Sequence, residues 1–195
     1  MKKGKIILIG IILVASLACR FLTPEMPATE TPIVFTEARI YENEAFSFTI
    51  PAGWRTMEEV WERPMQPGRD FYGLGVEEVI QIQYPPEKGQ GNTFFTVATS
   101  ALAGGEDLES RFTQAYEKPV PEMEDVSKQI YQRGKLSGFE ISYRRPWGEP
   151  WWQFHDIWLE KDAVIYVVSF QADPNAFGSR TETFDQILDS FRFND

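Results

Sequence analysis

Residues 163–193 read AVIYVVSFQADPNAFGSRTETFDQILDSFRF. The first nine residues, Ala163 to Gln171, predict a strand whose Val164, Ile165, Tyr166, Val167, Val168 and Phe170 are apolar on both faces. A strand of that kind is expected at the centre of a sheet covered on both sides. The helix that follows is expected to open on Ser179-Arg-Thr-Glu182, which has capping-box spacing. Phe184, Ile187, Leu188 and Phe191 fall at i, i+3, i+4 and i+7, so one helical stripe faces the core.

Upstream of this stretch the alternation continues. Lys128 to Lys135, Phe139 to Arg144 and Trp152 to Lys161 are short strands separated by tight turns. Val76 to Tyr84 and Thr93 to Leu102 form another pair around the turn-rich PPEKGQGN. Phe46 to Ile50 alternates apolar and polar residues before Pro51-Ala-Gly-Trp54 breaks it. Two helices intervene: Met57 to Glu62, with Met57, Val60 and Trp61 on one stripe, and Asp107 to Glu117, with Leu108, Phe112, Ala115 and Tyr116. Consecutive strands joined by short turns imply an antiparallel sheet, and the helices must cover its apolar faces. The fold class is α+β, an antiparallel β-sheet flanked by helices. No repeat of 20–50 residues is visible, which removes solenoids and propellers.

Three segments carry a family resemblance. FSFTIPAGW (46–54) resembles the opening of PsbP/DcrB-like domains, where an aromatic strand runs into a Pro-x-Gly-Trp turn. AVIYVVSFQADPNAFGSRTETFDQILDSFRF resembles their ending, and GKLSGFEISYRRP (134–146) resembles the turn and alternating strand between. The resemblance spans about Tyr41 to Phe193 and rests on packing positions such as Trp54 and Phe191. It implies a PsbP-like α/β/α sandwich, an extracytoplasmic and often lipid-anchored protein, and no common enzymatic activity. It transfers no specific function.

Composition narrows the function further. The chain has 195 residues, 19 Lys+Arg against 29 Asp+Glu, and a net charge of −10. A pI near 4.7 is unsuited to displacing counterions from phosphates, so nucleic acid is not an expected partner. One Cys excludes an intramolecular disulfide, and one His excludes multi-His zinc motifs.

That lone Cys carries an address. The chain opens MKKGKIILIGIILVASLAC, with Lys2, Lys3 and Lys5 before an apolar run from Ile6 to Ala18. A helix of that length spans roughly 20 Å, short of the ~30 Å hydrocarbon core, and fits a signal-peptide h-region. Ser16-Leu17-Ala18-Cys19 resembles the bacterial lipoprotein box, in which the Cys receives a diacylglyceryl thioether and a peptidase cuts before it. Residues 1–18 are therefore expected to be a lipoprotein signal peptide, with Cys19 lipidated and the body held at the extracytoplasmic face of the cell membrane. Three lysines and no acid leave with the signal peptide, taking the net charge from −10 to −13. Anionic headgroups repel such a body, so the acyl chains must supply the membrane affinity. Residues 19–38 form a tether rich in Pro, Thr and Glu, and the domain proper is residues 39–195. Ile33, Val34 and Phe35 could instead pack the end of that tether on the domain.

No G-x-S-x-G elbow, P-loop, H-E-x-x-H or EF-hand loop occurs. His155 shares a strand face with Gln153 and Ile157, and Asp156 shares the other with Phe154 and Trp158, so the two cannot chelate one ion. Glu58/Glu59, Glu77/Glu78 and Glu124/Asp125 are read as solvated acids rather than a glycosidase pair. No catalytic residue, metal site or cofactor is expected.

The unusual segment is Arg144-Arg-Pro-Trp-Gly-Glu-Pro-Trp-Trp152. Either Trp151 and Trp152 begin the next strand and enter the core, or Arg144, Arg145, Trp147, Trp151 and Trp152 form a rigid aromatic tip that docks a protein or stacks on a sugar. The expected function is a non-enzymatic, membrane-anchored interaction or accessory module. The alternative is a lipoprotein binding a small molecule or glycan through residues 147–152, with a hydrolase third.

Overall fold

The computed structural model describes residues 35–61, 75, 77–85, 91–117, 123–146 and 151–194. The expected signal peptide, Cys19, most of the expected tether and Trp147 lie outside the described residues. Along the chain run β1 (Arg39–Glu42), β2 (Phe46–Ile50), β3 (Arg55–Thr56), α1 (Met57–Trp61), β4 (Glu77–Tyr84) and β5 (Thr93–Ala101). Then come α2 (Leu108–Glu117), β6 (Glu124–Arg133), β7 (Leu136–Pro146), β8 (Trp151–Lys161), β9 (Val164–Ala172), α3 (Pro174–Ser190) and β10 (Arg192–Phe193).

Among the described residues, seven strands form an antiparallel sheet in the order β3-β4-β5-β9-β8-β7-β6. β9, the strand apolar on both faces, is fourth of the seven and central, as its pattern requires. One sheet face presents Ile82, Phe95, Ile157, Val168 and Phe170 to Phe184, Ile187 and Leu188 of α3 and to Phe46, Phe48 and Ile50 of β2. Phe184 stacks on Phe170 with centroids 4.8 Å apart. The opposite face presents Ala98, Ile141, Trp158, Ile165 and Val167 to Leu108, Phe112 and Ala115 of α2. Helices therefore lie on both faces of one antiparallel sheet, the expected α+β architecture.

The structure corrects the sequence reading in several places. α3 begins at Pro174, five residues before the expected capping box. Asp173 is the N-cap, its carboxyl accepting from Asn175 N at 2.8 Å, and Pro174 occupies the first turn, where its missing N–H costs nothing. Ser179 is inside the helix and bonds back to the Ala176 carbonyl instead. Phe191, although fully buried, is the C-cap rather than a helical residue. β2 does not join the main sheet. It pairs with β1 and β10 in a separate three-stranded sheet that covers part of the α3 side of the core. β6 starts at Glu124, four residues early, and the pairs flanking its turn close at Arg133 and Leu136. Trp61, expected on the buried stripe of α1, is 49% exposed.

Two glycines are fixed by geometry. Gly53 adopts φ +84° in the Pro51–Trp54 turn, and a Cβ there would lie 3.1 Å from the Tyr84 ring. That turn lets Trp54 fold under, where it is 1% exposed. The same turn holds the segment before β1, because Gly53 N donates to the Phe35 carbonyl at 2.8 Å. At Gly138 a Cβ would collide with the backbone carbonyl of Trp158, so only glycine permits β7 and β8 to approach as they do.

Candidate functional site

The sequence singled out the β7–β8 connection, and register places its residues. Arg145 is opposite Trp152, Arg144 opposite Gln153 and Pro146 opposite Trp151. Trp151 and Trp152 do begin β8, both half-buried. The Trp152 ring stacks on Phe94 at 5.8 Å with planes 19° apart, tying β8 to the start of β5. Arg145 carries its guanidinium 4.6 Å from the Phe154 centroid, and Phe154 in turn stacks flat on Tyr143 at 5.0 Å. Arg144 divides between Asp125, at 3.2 Å, and the Trp151 ring, at 5.8 Å. Arg145, Trp152, Tyr143 and Phe154 thus form one aromatic–cation row on the α2 side of the sheet, while Arg144 links Trp151 to Asp125 of the edge strand β6.

That row borders a polar tract that the sequence reading missed. Asp156 is fully buried on the same face. Its carboxyl accepts hydrogen bonds from Tyr116 Oη at 2.8 Å, Tyr143 Oη at 2.8 Å and Ser169 Oγ at 2.5 Å. Trp158 Nε1 donates to Tyr116 Oη at 3.0 Å, which leaves the Tyr116 proton to point at Asp156. Beyond it, Gln81 Nε2 donates to Thr96 Oγ1 at 3.0 Å and Gln83 Nε2 to Asn92 Oδ1 at 2.6 Å. Gln83, Thr96, Ser169 and Gln171 are all buried. Buried polar side chains persist only when their hydrogen bonds are made, and this face makes them laterally across five strands, β4, β5, β9, β8 and β7. The available signal was an acid at Asp156 between Phe154 and Trp158, both of which pack into the core.

The chemistry of this tract follows from the period of two along a strand. Ser169 is a hydroxyl beside a carboxyl group, but it spends its proton on Asp156. His155, next in sequence to Asp156, projects from the opposite face. There its Nε2 lies 2.8 Å from Glu140 Oε2 and its ring edge meets Phe184 at 5.3 Å. Hydroxyl and acid meet on one face while the imidazole of His155 lies on the other, so the sheet divides the three groups and no Ser–His pair forms. Among the described residues no three His, Cys, Asp or Glu side chains come together as a metal site.

The acidic pairs also separate. Glu59 binds the Arg39 guanidinium through both oxygens and accepts from Thr56 N at 2.8 Å, while Glu58 is exposed. The Arg39 hydrogen bond holds the Glu59 carboxyl below its ordinary pKa of 4.5, against the opposing effect of burial. Asp125 is engaged by Arg144, and Glu124 is exposed.

A cavity of about 630 Å³ opens on the α3 side, where the β6–β7 turn, the end of β8, the C-terminus of α3 and β10 converge. Arg133, Lys135, Lys161 and Arg192 line it, with Leu188 and Phe193 among its apolar walls. Nothing in the sequence flags it, because its cations are spread over sixty positions and meet only through the fold. Arg133 is held by Asp185 at 2.7 Å and Asp189 at 2.8 Å. The Asp185 hydrogen bond, followed by that of Asp189, raises its already high pKa further against desolvation. Tyr131, buried nearby in the sheet, has its phenol pKa raised, mainly by desolvation.

The architecture is similar to that of several solved proteins. The cyanobacterial PsbP (CyanoP) of Synechocystis sp. PCC 6803 superposes with a TM-score of 0.53 at 11% identity, over 88% of this chain and 99% of that one. A Pseudomonas aeruginosa protein of unknown function, PA94, gives 0.51 at 11% identity, over 78% and 94%. LpqN, involved in cell envelope biogenesis of Mycobacterium tuberculosis, gives 0.50 at 10% identity, over 81% and 91%. At such identities the likeness is one of fold, and the fold is PsbP-like. No family model matches the sequence. No curated protein matches it either.

Proposed function

We propose that the protein is a lipid-anchored, extracytoplasmic accessory module that acts by binding a partner rather than by catalysis. The observation that carries this reading is Cys19, the single cysteine of the chain, at the end of Ser16-Leu17-Ala18-Cys19 behind a basic and then an apolar segment. Two findings support it. The fold is shared with LpqN, which is involved in cell envelope biogenesis, and with a PsbP protein. In addition, Asp156, Ser169, His155 and Glu140 are engaged with one another or with tyrosine hydroxyls rather than presented together at a surface. Among the described residues no helix is long and apolar enough to cross a membrane. In this reading the acyl chains on Cys19 supply the attachment.

The partner surface is assigned to Arg144, Trp147 and Trp151 at the β7–β8 end, with Arg145 and Trp152 supporting it from the sheet. Cys19→Ala should leave an unprocessed, unlipidated precursor by intact-mass measurement. A cut elsewhere with an unmodified Cys19 overturns the anchor. For the partner, crosslinking in the native membrane should yield a neighbour that Trp151→Ala loses. Retention of every neighbour by both Trp151→Ala and Trp147→Ala overturns the assigned surface.

A further inference from the structure

The cavity beside β10 runs against the electrostatic character of the molecule. The chain carries −10, yet four cationic side chains line this cavity against one acid, Asp189. Arg133 is neutralised by Asp185 and Asp189. The other three have no carboxylate partner among the described residues. Lys161 Nζ donates to the Asn194 backbone carbonyl and lies 5.8 Å from the Phe193 centroid. Arg192 donates to the Phe191 carbonyl at 2.5 Å, and Lys135 is exposed at the turn. Leu136, Leu188 and Phe193 supply apolar wall between them.

We propose that this cavity binds an amphiphilic anion, with a carboxylate or phosphate head held by Lys135, Lys161 and Arg192 and an apolar body against Leu136, Leu188 and Phe193. The volume lies within the roughly 300–1,000 Å³ of small-molecule sites. A bare inorganic anion would leave the leucine and phenylalanine wall wet. A neutral apolar ligand would desolvate cations without pairing them, which is unfavourable. Only a molecule with both parts satisfies both halves. Lysine and arginine heads on flexible stems at the mouth, with the apolar wall behind, orient such a ligand head outward. Lys135, Lys161 and Arg192, close together in an acidic molecule, also favour the approach of an anion to this cavity. The site stands independently of the lipid anchor, since none of its residues belongs to the β7–β8 end or to the N-terminus.

The test uses the full chain held in phosphatidylcholine nanodiscs and titrated with octyl phosphate by calorimetry. Saturable one-to-one binding is expected, with octanol and inorganic phosphate each at least about tenfold weaker. Lys135→Glu combined with Arg192→Glu should weaken octyl phosphate by about tenfold or more, whereas Lys135→Arg combined with Arg192→Lys should retain it. Both residues are exposed, and unchanged circular dichroism and thermal midpoint will show that the variants fold. Exchanging part of the phosphatidylcholine for phosphatidylglycerol separates the two sources of such a head. Competition with octyl phosphate in the parent but not in the charge-reversed variant identifies a lipid headgroup as the occupant. Undiminished binding identifies a free amphiphile. Absence of saturable binding, equal binding of octanol or inorganic phosphate, or indifference to the charge reversal overturns the proposal.

Discussion

Replacing Asp156 by alanine probes a fully buried acid on the α2 side of the sheet. Its carboxyl collects three hydroxyl protons, from Tyr116, Tyr143 and Ser169. Tyr143 is 3% exposed and Ser169 5%, so neither hydroxyl can turn to bulk water once its acceptor is gone. Each orphaned buried donor costs about 1–3 kcal/mol. Tyr116 is only half-buried, so its hydroxyl counts for less. Asp156→Ala should therefore destabilise by about 3–5 kcal/mol, the range for breaking a buried polar network. For a domain of this size that lowers Tm by roughly 6–20 °C.

The assay is urea unfolding followed by tryptophan fluorescence, because Trp158 donates into the same network through Tyr116. Tyr143→Phe alone should cost about 1–2 kcal/mol, having removed one donor and left the carboxyl two. Combined with Asp156→Ala it should add almost nothing, because the tyrosine hydroxyl is then already orphaned, giving a coupling of about 1 kcal/mol or more. Stability within about 0.5 kcal/mol of the parent for Asp156→Ala would refute the reasoning. So would strict additivity in the cycle, since it would mean that the carboxyl does not organise these hydroxyls.

Two other changes test local geometry and electrostatics. Asp162 and Ala163 form the two-residue turn between β8 and β9, with φ of +54° and +59°. A left-handed alanine costs roughly 1 kcal/mol that glycine does not, so Ala163→Gly should stabilise by about 0.5–1 kcal/mol in chemical denaturation, and a loss of stability would refute it. Glu59 has its pKa lowered chiefly by the Arg39 hydrogen bond. A carboxyl with a lowered folded pKa adds stability above its ordinary value of 4.5 and loses it as pH falls through the folded value. Glu59→Gln should accordingly flatten the acid limb of a thermal-midpoint profile below about pH 4.5 and leave its slope near neutrality unchanged. An unchanged acid limb would count against the pair.

β9 revealed its central place because a strand buried on both faces must be apolar at consecutive positions, and Val164 to Phe170 nearly is. The start of α3 was misplaced because Ser179 and Glu182 have the spacing of a capping box. The true signal, Asp173 before Pro174, was present but lay against the end of a strand. β1 and β10 escaped notice since four-residue and two-residue strands carry too little periodicity to register. Trp152 could be placed in a strand from sequence. Its partner, Phe94, is 58 positions away and is brought to it only by the β5–β9–β8 pairing.

The sequence by itself determined the class of fold, the central strand and the segregation of His155 from Asp156, because each follows from a local period of 2 or 3.6 residues. It also carries the lipoprotein-like Cys19 motif, which is chemistry written in adjacent residues. Tertiary structure alone decided that Asp156 would be enclosed by hydroxyls from α2, β7 and β9. It alone gathered Lys135, Lys161 and Arg192 around a single cavity in an acidic protein. Both are meetings of residues distant along the chain, set by strand order and helix packing, and local patterning has no term for them.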